Sequence, residues 1–240
     1  MARRIARAFC LWIAGMKKFL APILFGLFGA LILVYLGVWQ TQRLQWKEAR
    51  LFQISKMISA APVDLPDFAI PKAHQYLSVK LTGELLKDEL HVLTSRPPIG
   101  PGYRVIAKFK TKNRSILIDR GFIREGDKNK DRTLGFVEVT GNLLWPNEID
   151  EFFTPDPDLK KNLWFARDLP WMSKYLNTEP ILIVAREIKP SATEVLPWPI
   201  NTTGIPNNHL QYAITWFALS IIWLGMTAYW ISRIKRQKDL

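Results

Sequence analysis

Two long apolar runs, one near each end of the chain, dominate the pattern of hydrophobic and polar positions. The first covers Phe19–Trp39, and no charged residue occurs from Phe19 to Gln42. The second covers Leu210–Ile231. A helix needs about 20 apolar residues to cross the hydrocarbon core of a membrane. The pattern therefore predicts transmembrane helices at residues 19–42 and 209–232.

Each apolar run has an alternative interpretation. A signal peptide is the alternative for the first run, because basic residues precede it. The run is longer than a typical signal-peptide core, and Trp39-Gln40-Thr41-Gln42-Arg43 follows it in place of a small-residue cleavage site. A buried helix of a soluble protein is the alternative for the second run. The polar middle of the chain is too short to cover two such helices on all sides, which favours two membrane helices.

The middle of the chain changes from a helical period to an alternating one. Residues 40–60 have helical spacing; prolines follow, and then come the alternating or continuously apolar segments that are typical of strands. The predicted strand segments are Tyr76–Thr82, His91–Thr94, Tyr103–Lys110, Ser115–Ile118, Phe136–Thr140 and Ile181–Ala185. Gly83 and Lys112-Asn113 indicate turns, and Asp168 with Pro170 predicts the start of a short helix.

These elements predict a membrane protein of the α+β class. Two transmembrane helices flank one extramembrane domain at residues 43–208, and short tails at 1–18 and 233–240 complete the chain. The domain is expected to be mostly antiparallel β, either barrel-like or a sandwich, with a short inserted helix.

The net charge of +12 lies mostly in the two tails. A pI near 9.9 is typical of proteins that bind nucleic acid. Basic tails beside apolar helices are explained instead by the positive-inside rule, which makes both termini cytoplasmic and the central domain external. We therefore expect membrane lipids as partners and no nucleic acid. The short N-terminal stretch has no serine, which favours a bacterial inner membrane with a periplasmic domain over a mitochondrial inner membrane.

The motifs of common catalytic classes are absent from the sequence. It contains no GxSxG, GxxxxGK[ST], GxGxxG or HExxH motif. A single cysteine, Cys10, excludes an intrachain disulfide and the usual zinc ligand sets. Asp119 and Arg120 are interpreted as capping a strand end, and Tyr103 as part of a turn that leads into a strand. We expect no enzymatic activity, no catalytic residue and no structural metal.

His209 is the most informative of the three histidines, because it begins the second charge-free helix. An imidazole at this position can cap the helix or meet water, and it can also ligate haem iron; the residues alone leave both open. Tyr212 and Trp216 share its helical face. Arg43 and Lys47 lie one helical turn apart after the first run. They could bind lipid head groups or haem propionates, or simply extend their charged ends to the membrane interface.

Five short motifs occur in order along the chain. They are Leu36–Lys47 (LGVWQTQRLQWK), Gly100–Val105 (GPGYRV), Ile118–Ile123 (IDRGFI), Asn162–Asp168 (NLWFARD) and Asn207–Phe217 (NNHLQYAITWF). Together they resemble the surfeit locus protein 1 family over nearly the whole chain, and the last motif is the most specific. Asp119 and Phe122 stand where the family element has Asn and Trp, which puts in doubt only the role of that loop.

The resemblance implies an assembly factor for cytochrome c oxidase that binds haem a and assists its insertion into subunit I. It implies His209 as the axial ligand of the haem iron. Trp39, Trp216 and Tyr212 would then lie against the ring, and Arg43 would meet a propionate. Haem a synthase is a second expected partner. A scaffold that stabilises an oxidase intermediate without haem, and an envelope adaptor or sensor, are the alternatives.

Overall fold

The computed structural model describes residues 2–191, 194–202 and 205–237, with side chains in the first helix from residue 19 onward. Parts of the predicted tails and of the proline-rich segment before the second apolar run therefore lie outside the described residues. The chain divides into two compact units, one formed by Met1–Leu51 with Ile205–Leu240 and the other by Phe52–Gly204.

Two long helices make up the first unit. Helix α1 covers Ala2–Ser59, of which the part up to Leu51 belongs to this unit, and helix α4 covers His209–Arg236. Both are long and apolar enough to cross a membrane. Helix α1 continues past the first apolar run because residues 40–59 keep helical spacing and contain neither glycine nor proline. The two apolar runs are thus helical, as predicted.

The second unit is a closed, mostly antiparallel sheet. Its strands are β1 Val63–Asp64, β2 Ser78–Arg96, β3 Gly100–Thr111, β4 Arg114–Arg124, β5 Gly135–Leu144 and β6 Leu182–Lys189. The strand order is β1-β2-β3-β4-β6-β5, and β5 also pairs with β2. Five strands therefore close into a barrel, with β1 attached to its outside edge. Among the strand pairs of the described residues, β4–β6 and β1–β2 are parallel and the others antiparallel. Because the sheet closes on itself through β2 and β5, the predicted barrel-like alternative is the one that forms.

Short helices and the end of α1 complete the barrel unit. Helix α2 covers Pro71–His74, a 3-10 turn covers Glu125–Asp127 and α3 covers Leu169–Leu176. The backbone carbonyl of Ile58, near the end of α1, accepts hydrogen bonds from Asn142 and Arg186 at 3.0 and 2.8 Å. These bonds satisfy an orphan carbonyl at the helix end and fix it against the barrel wall.

The continuous apolar runs arise because the barrel wall is buried on both sides. Ile116 and Ile118 on β4 face the barrel interior, whereas Leu117 packs against α3. On β6, Ile183 faces the barrel interior and Leu182 packs against α3. Side chains alternate across a strand, so a strand that is covered on both faces needs apolar residues at every position.

Of three local features predicted from the sequence, the turn at Lys112 and the helix start at Asp168 are confirmed and the turn at Gly83 is not. Lys112, with φ of +50°, forms the two-residue turn between β3 and β4, and the Asp168 carboxylate accepts from the backbone N–H of Trp171 as the N-cap of α3. The predicted turn at Gly83 is wrong, because Gly83 lies inside the 19-residue strand β2. A Cβ atom there would lie 2.2 Å from the carbonyl oxygen of Lys110, so glycine is required by a close approach of two strands.

Candidate functional site

Small residues of α1 face large side chains of α4 in the helix pair of the first unit. A Cβ atom on Gly29 would lie 2.4 Å from Nε1 of Trp223, and one on Gly37 would lie 2.6 Å from Cε1 of Phe217. Residues early in α1 meet residues late in α4, so the helices run antiparallel. Small residues that receive large ones are typical of helix contacts within membranes.

His209 and Gln40 meet across this helix pair. Nδ1 of His209 lies 2.8 Å from Oε1 of Gln40. A carbonyl oxygen only accepts hydrogen bonds, so Nδ1 is the donor of this bond. The imidazole is half-buried, and its Nε2 has no hydrogen-bond partner among the described residues. A histidine that ligates a metal is typically oriented by such a bond to its other nitrogen.

Arg43 lies between two tryptophans on α1. Its Cζ is 5.7 Å from the ring centre of Trp39 and 5.5 Å from that of Trp46, and it makes no hydrogen bond or ion pair with any described residue. Its five N–H donors remain available to a carboxylate. Lys47, in contrast, donates a hydrogen bond to the backbone carbonyl of Pro206. Of the two basic residues after the first apolar run, Arg43 is therefore the better candidate for a bound anion.

The remaining predicted site residues are not packed together. Tyr212 and Trp216 share the helical face of His209, and Trp39 and Tyr212 are 41% and 54% exposed. Within the described part of the chain, no ring contact joins Trp39 to Tyr212 or Trp216. The structure thus brings the candidate residues into two pairs, His209 with Gln40 and Arg43 with Trp39, and the predicted haem-binding roles stay predictions.

The barrel unit contains a second concentration of functional groups, which we call the buried charge cluster: the fully buried Asp119, the largely buried Arg104 and Arg167, and Glu148 at its exposed edge. Oδ2 of the fully buried Asp119 accepts from Arg104 at 2.5 Å and from Arg167 at 3.3 Å. Its Oδ1 accepts from the N–H of Gly121 at 3.0 Å. Arg167 also binds both carboxylate oxygens of Glu148. Every charge in the cluster has an opposite partner, which a buried charge needs in order to be tolerated.

The cluster also shifts the titration of its outer pair. Burial alone raises the pKa of Glu148, but the hydrogen bonds and charge of Arg167 outweigh it, so the pKa of Glu148 is lowered. Burial likewise lowers the pKa of Arg167, and its bonds to Glu148 and Asp119 raise it overall. Trp198 covers the guanidinium of Arg104, whose Cζ lies 4.1 Å from the ring centre. Glu148 and Arg167 are therefore both charged at neutral pH.

Arg120 owes its burial to a bulge in β4. The register shifts between Val105 and Ile106 on β3, which leaves Arg120 without a partner residue, and Gly121 follows with φ of +122°. A Cβ on Gly121 would lie 2.3 Å from the backbone oxygen of Leu196. The interpretation of Asp119 and Arg120 as strand-end caps is wrong, because both lie inside β4 and are buried.

The Arg120 guanidinium is only partly satisfied among the described residues. Its Nη2 donates to the carbonyl of Thr133 at 3.0 Å, whereas Nε and Nη1 have no hydrogen-bond partner in the part of the chain that the structure describes. Burial lowers the pKa of this arginine. A buried guanidinium with two unpaired nitrogens destabilises the fold, in contrast to the paired charges beside it.

The buried charge cluster is formed largely by three of the five sequence motifs, although their local pattern did not predict it. Arg104, Asp119 and Arg167 lie in the stretches 100–105, 118–123 and 162–168. The available signal was a charged pair between Ile118 and Phe122 inside an apolar strand, because charged residues are rarely fully buried unless they are paired. The identity of the partners depends on strand register and could not be read from local pattern.

Comparison with known proteins agrees with this arrangement of motifs. A model of the SURF1 family matches residues 27–221, which include most of α1, the barrel and the first half of α4. The SURF1-like protein of Rickettsia bellii is 32% identical over 204 residues, covering 79% of this chain and 82% of the relative. Surfeit locus protein 1 of Takifugu rubripes is 30% identical over 232 residues, covering 83% of this chain and 93% of the relative. The chain belongs to the SURF1 family.

Proposed function

We propose that this protein is a non-enzymatic assembly factor for cytochrome c oxidase that holds haem a and assists its insertion into subunit I. Membership of the SURF1 family supports the role in oxidase assembly. The hydrogen bond between His209 and Gln40 carries the haem part of the proposal. The barrel is proposed to contact subunit I or haem a synthase.

The proposed location is the bacterial inner membrane, with spans at residues 19–42 and 209–232. Large apolar side chains on both helices are exposed, for example Phe28 at 67% and Ile221 at 72%. Continuous apolar surface of this kind favours contact with lipid tails over contact with water. The basic tails favour cytoplasmic termini, which leaves residues 43–208 in the periplasm.

The residues at the helix pair fit a haem in three respects. His209 would hold the haem iron through Nε2, which has no partner among the described residues. Arg43 has unpaired donors that suit a propionate. Trp39, Tyr212 and Trp216 supply apolar surface for the ring.

Absorption spectroscopy tests the haem site. The full chain is co-expressed with the enzymes of haem a synthesis, purified in detergent and measured for Soret absorbance per protein. We expect wild type to retain haem, His209→Ala to lose it, and Gln40→Leu to bind about 10–100-fold more weakly because the imidazole loses its orienting partner. His74→Ala is the matched control, since His74 bonds to Ile70 within the barrel unit.

Two outcomes separate the alternatives. A wild-type Soret band in His209→Ala would show that the ligand is another residue. If wild type carries no haem while a deletion strain still lacks active oxidase, the protein is a scaffold that holds no haem.

Cysteine labelling tests the orientation. In intact cells, a membrane-impermeant maleimide should label Glu151→Cys in a Cys10→Ser background, because the barrel is proposed to face outward. It should not label Cys10 of the wild-type chain, which lies in the proposed cytoplasmic tail. Labelling of Cys10 without cell lysis contradicts the proposed orientation.

A further inference from the structure

An exposed loop of the barrel unit combines aromatic and acidic residues. We call residues 148–158, between β5 and α3, the acidic aromatic loop. Phe152 and Phe153 are 89% and 84% exposed, and Ile149 is 44% exposed. Two adjacent phenylalanines that remain almost fully in water contribute little to folding, and large apolar groups exposed together mark interaction sites.

The loop holds the two phenylalanines in a fixed arrangement. The Asp150 carboxylate accepts from the N–H of Phe152 at 3.0 Å, and the Thr154 hydroxyl accepts from the N–H of Asp150 at 2.9 Å. The N–H of Thr154 also donates to the carbonyl of Asp150 at 2.8 Å. The turn is therefore preorganised, which lowers the entropy cost of binding through it.

The charge of the loop is opposite to that of the chain. The segment EIDEFFTPDPD contains no lysine or arginine, whereas the whole chain carries a net charge of +12. Glu148 is paired with Arg167 and Asp158 with Lys161, which leaves Asp150, Glu151 and Asp156, all exposed, beside the phenylalanines. A partner surface that accepts this loop needs apolar pockets rimmed by basic side chains.

We propose that the acidic aromatic loop docks into a basic-rimmed apolar pocket on an oxidase subunit, with Phe152 and Phe153 as anchors. This inference rests on the proposed role in oxidase assembly. A protein partner is favoured over a membrane because anionic head groups repel Glu151 and Asp156 and because burying them in lipid is costly. Phe165 and Trp171 border a shallow cavity beside the loop and extend the same surface.

Co-purification from the native host tests the docking role. The tagged full chain is solubilised in mild detergent, and the recovered oxidase subunits are quantified by immunoblot. We expect Phe152→Ser/Phe153→Ser to reduce recovery at least tenfold, because anchor residues dominate binding energy. Phe68→Ser/Phe136→Ser is the matched control, since these residues are 88% and 75% exposed outside the loop; it should bind like wild type.

A charge variant and salt probe the basic rim. Glu151→Lys/Asp156→Lys should also weaken recovery, and higher ionic strength should weaken the wild type but not this variant. Binding of the loop variant at the wild-type level overturns the docking role and leaves the proposed function standing. Recovery of no oxidase subunit by wild type refutes the proposed function, and the docking role with it. Loss of binding to anionic vesicles, with oxidase recovery unchanged, assigns the loop to the membrane instead and overturns the inference.

Discussion

Replacement of Asp119 by alanine tests whether the buried charge cluster stabilises the barrel. The substitution removes a fully buried carboxylate that accepts from Arg104, Arg167 and the N–H of Gly121. It leaves two guanidinium groups, whose side chains are only 14% and 13% exposed, without their shared partner. The expected result is a large loss of stability.

The magnitude follows from what each arginine retains. Removal of one member of a buried ion pair costs about 3–5 kcal/mol. Arg167 keeps Glu148 and Arg104 keeps its contact with Trp198, so we expect the lower end, about 3 kcal/mol. In a chain of this size each kcal/mol lowers the Tm by about 2–4 °C, which predicts a fall of about 6–12 °C. Asp119→Asn keeps an oxygen for the N–H of Gly121 and should lose less.

Thermal unfolding of the full chain in detergent, followed by tryptophan fluorescence, measures this loss. Glu138→Ala is the control, because it removes a carboxylate from an exposed pair with Lys80 at 2.8 Å. Exposed pairs contribute about 0–1 kcal/mol, so the control should shift the Tm by only a few degrees. A shift for Asp119→Ala no larger than that of the control would refute the stabilising role of the cluster.

Three further substitutions give separate tests by the same unfolding assay. Arg120→Met should leave the Tm unchanged or raise it, because it removes a guanidinium with two nitrogens that have no partner among the described residues. A fall in Tm of more than about 4 °C contradicts this expectation. Glu148→Gln should lower the stability of the protein at neutral pH. Because the pKa of Glu148 is lowered in the folded state, this loss of stability persists above the ordinary glutamate pKa of about 4.3 and disappears as the pH falls through the folded pKa. A loss of stability that does not depend on pH refutes the charge argument. Gly29→Leu should destabilise the helix pair, whereas Gly225→Leu, where a Cβ meets no atom within 4 Å, should not; equal effects contradict the packing.

Elements whose signal is local could be predicted from the sequence. The apolar runs gave both helices, because length and the absence of charge suffice for a helix that crosses a membrane. The run around Ile116–Ile118 gave a strand buried on both faces, and Asp168 gave a helix start through its own side-chain bond. In each case the residues that determine the element lie within a few positions of one another.

Features that depend on distant pairing could not be predicted. Closure of the barrel needs β5 to pair with β2 and β6 to pair in parallel with β4, and no turn connects these strands. The turn assigned to Gly83 failed for a related reason, since a glycine at a turn and a glycine under a crossing strand look alike in sequence. The contact of His209 with Gln40 joins residues 169 positions apart and needed the helix pair to be placed.

The five motifs that identified the family serve two separate structural purposes. Those at 36–47 and 207–217 meet at the contact between His209 and Gln40, whereas the other three supply the buried charge cluster of the barrel. The variant His209→Ala should therefore lose haem while its Tm matches that of haem-free wild type, since the imidazole is half-buried and its loss leaves no buried charge. A variant of the second group should lose stability first, and haem or oxidase only in proportion to the protein that remains folded. The family motifs thus combine one candidate binding site with one structural requirement, and the two are separable by measuring Tm and pigment on the same samples.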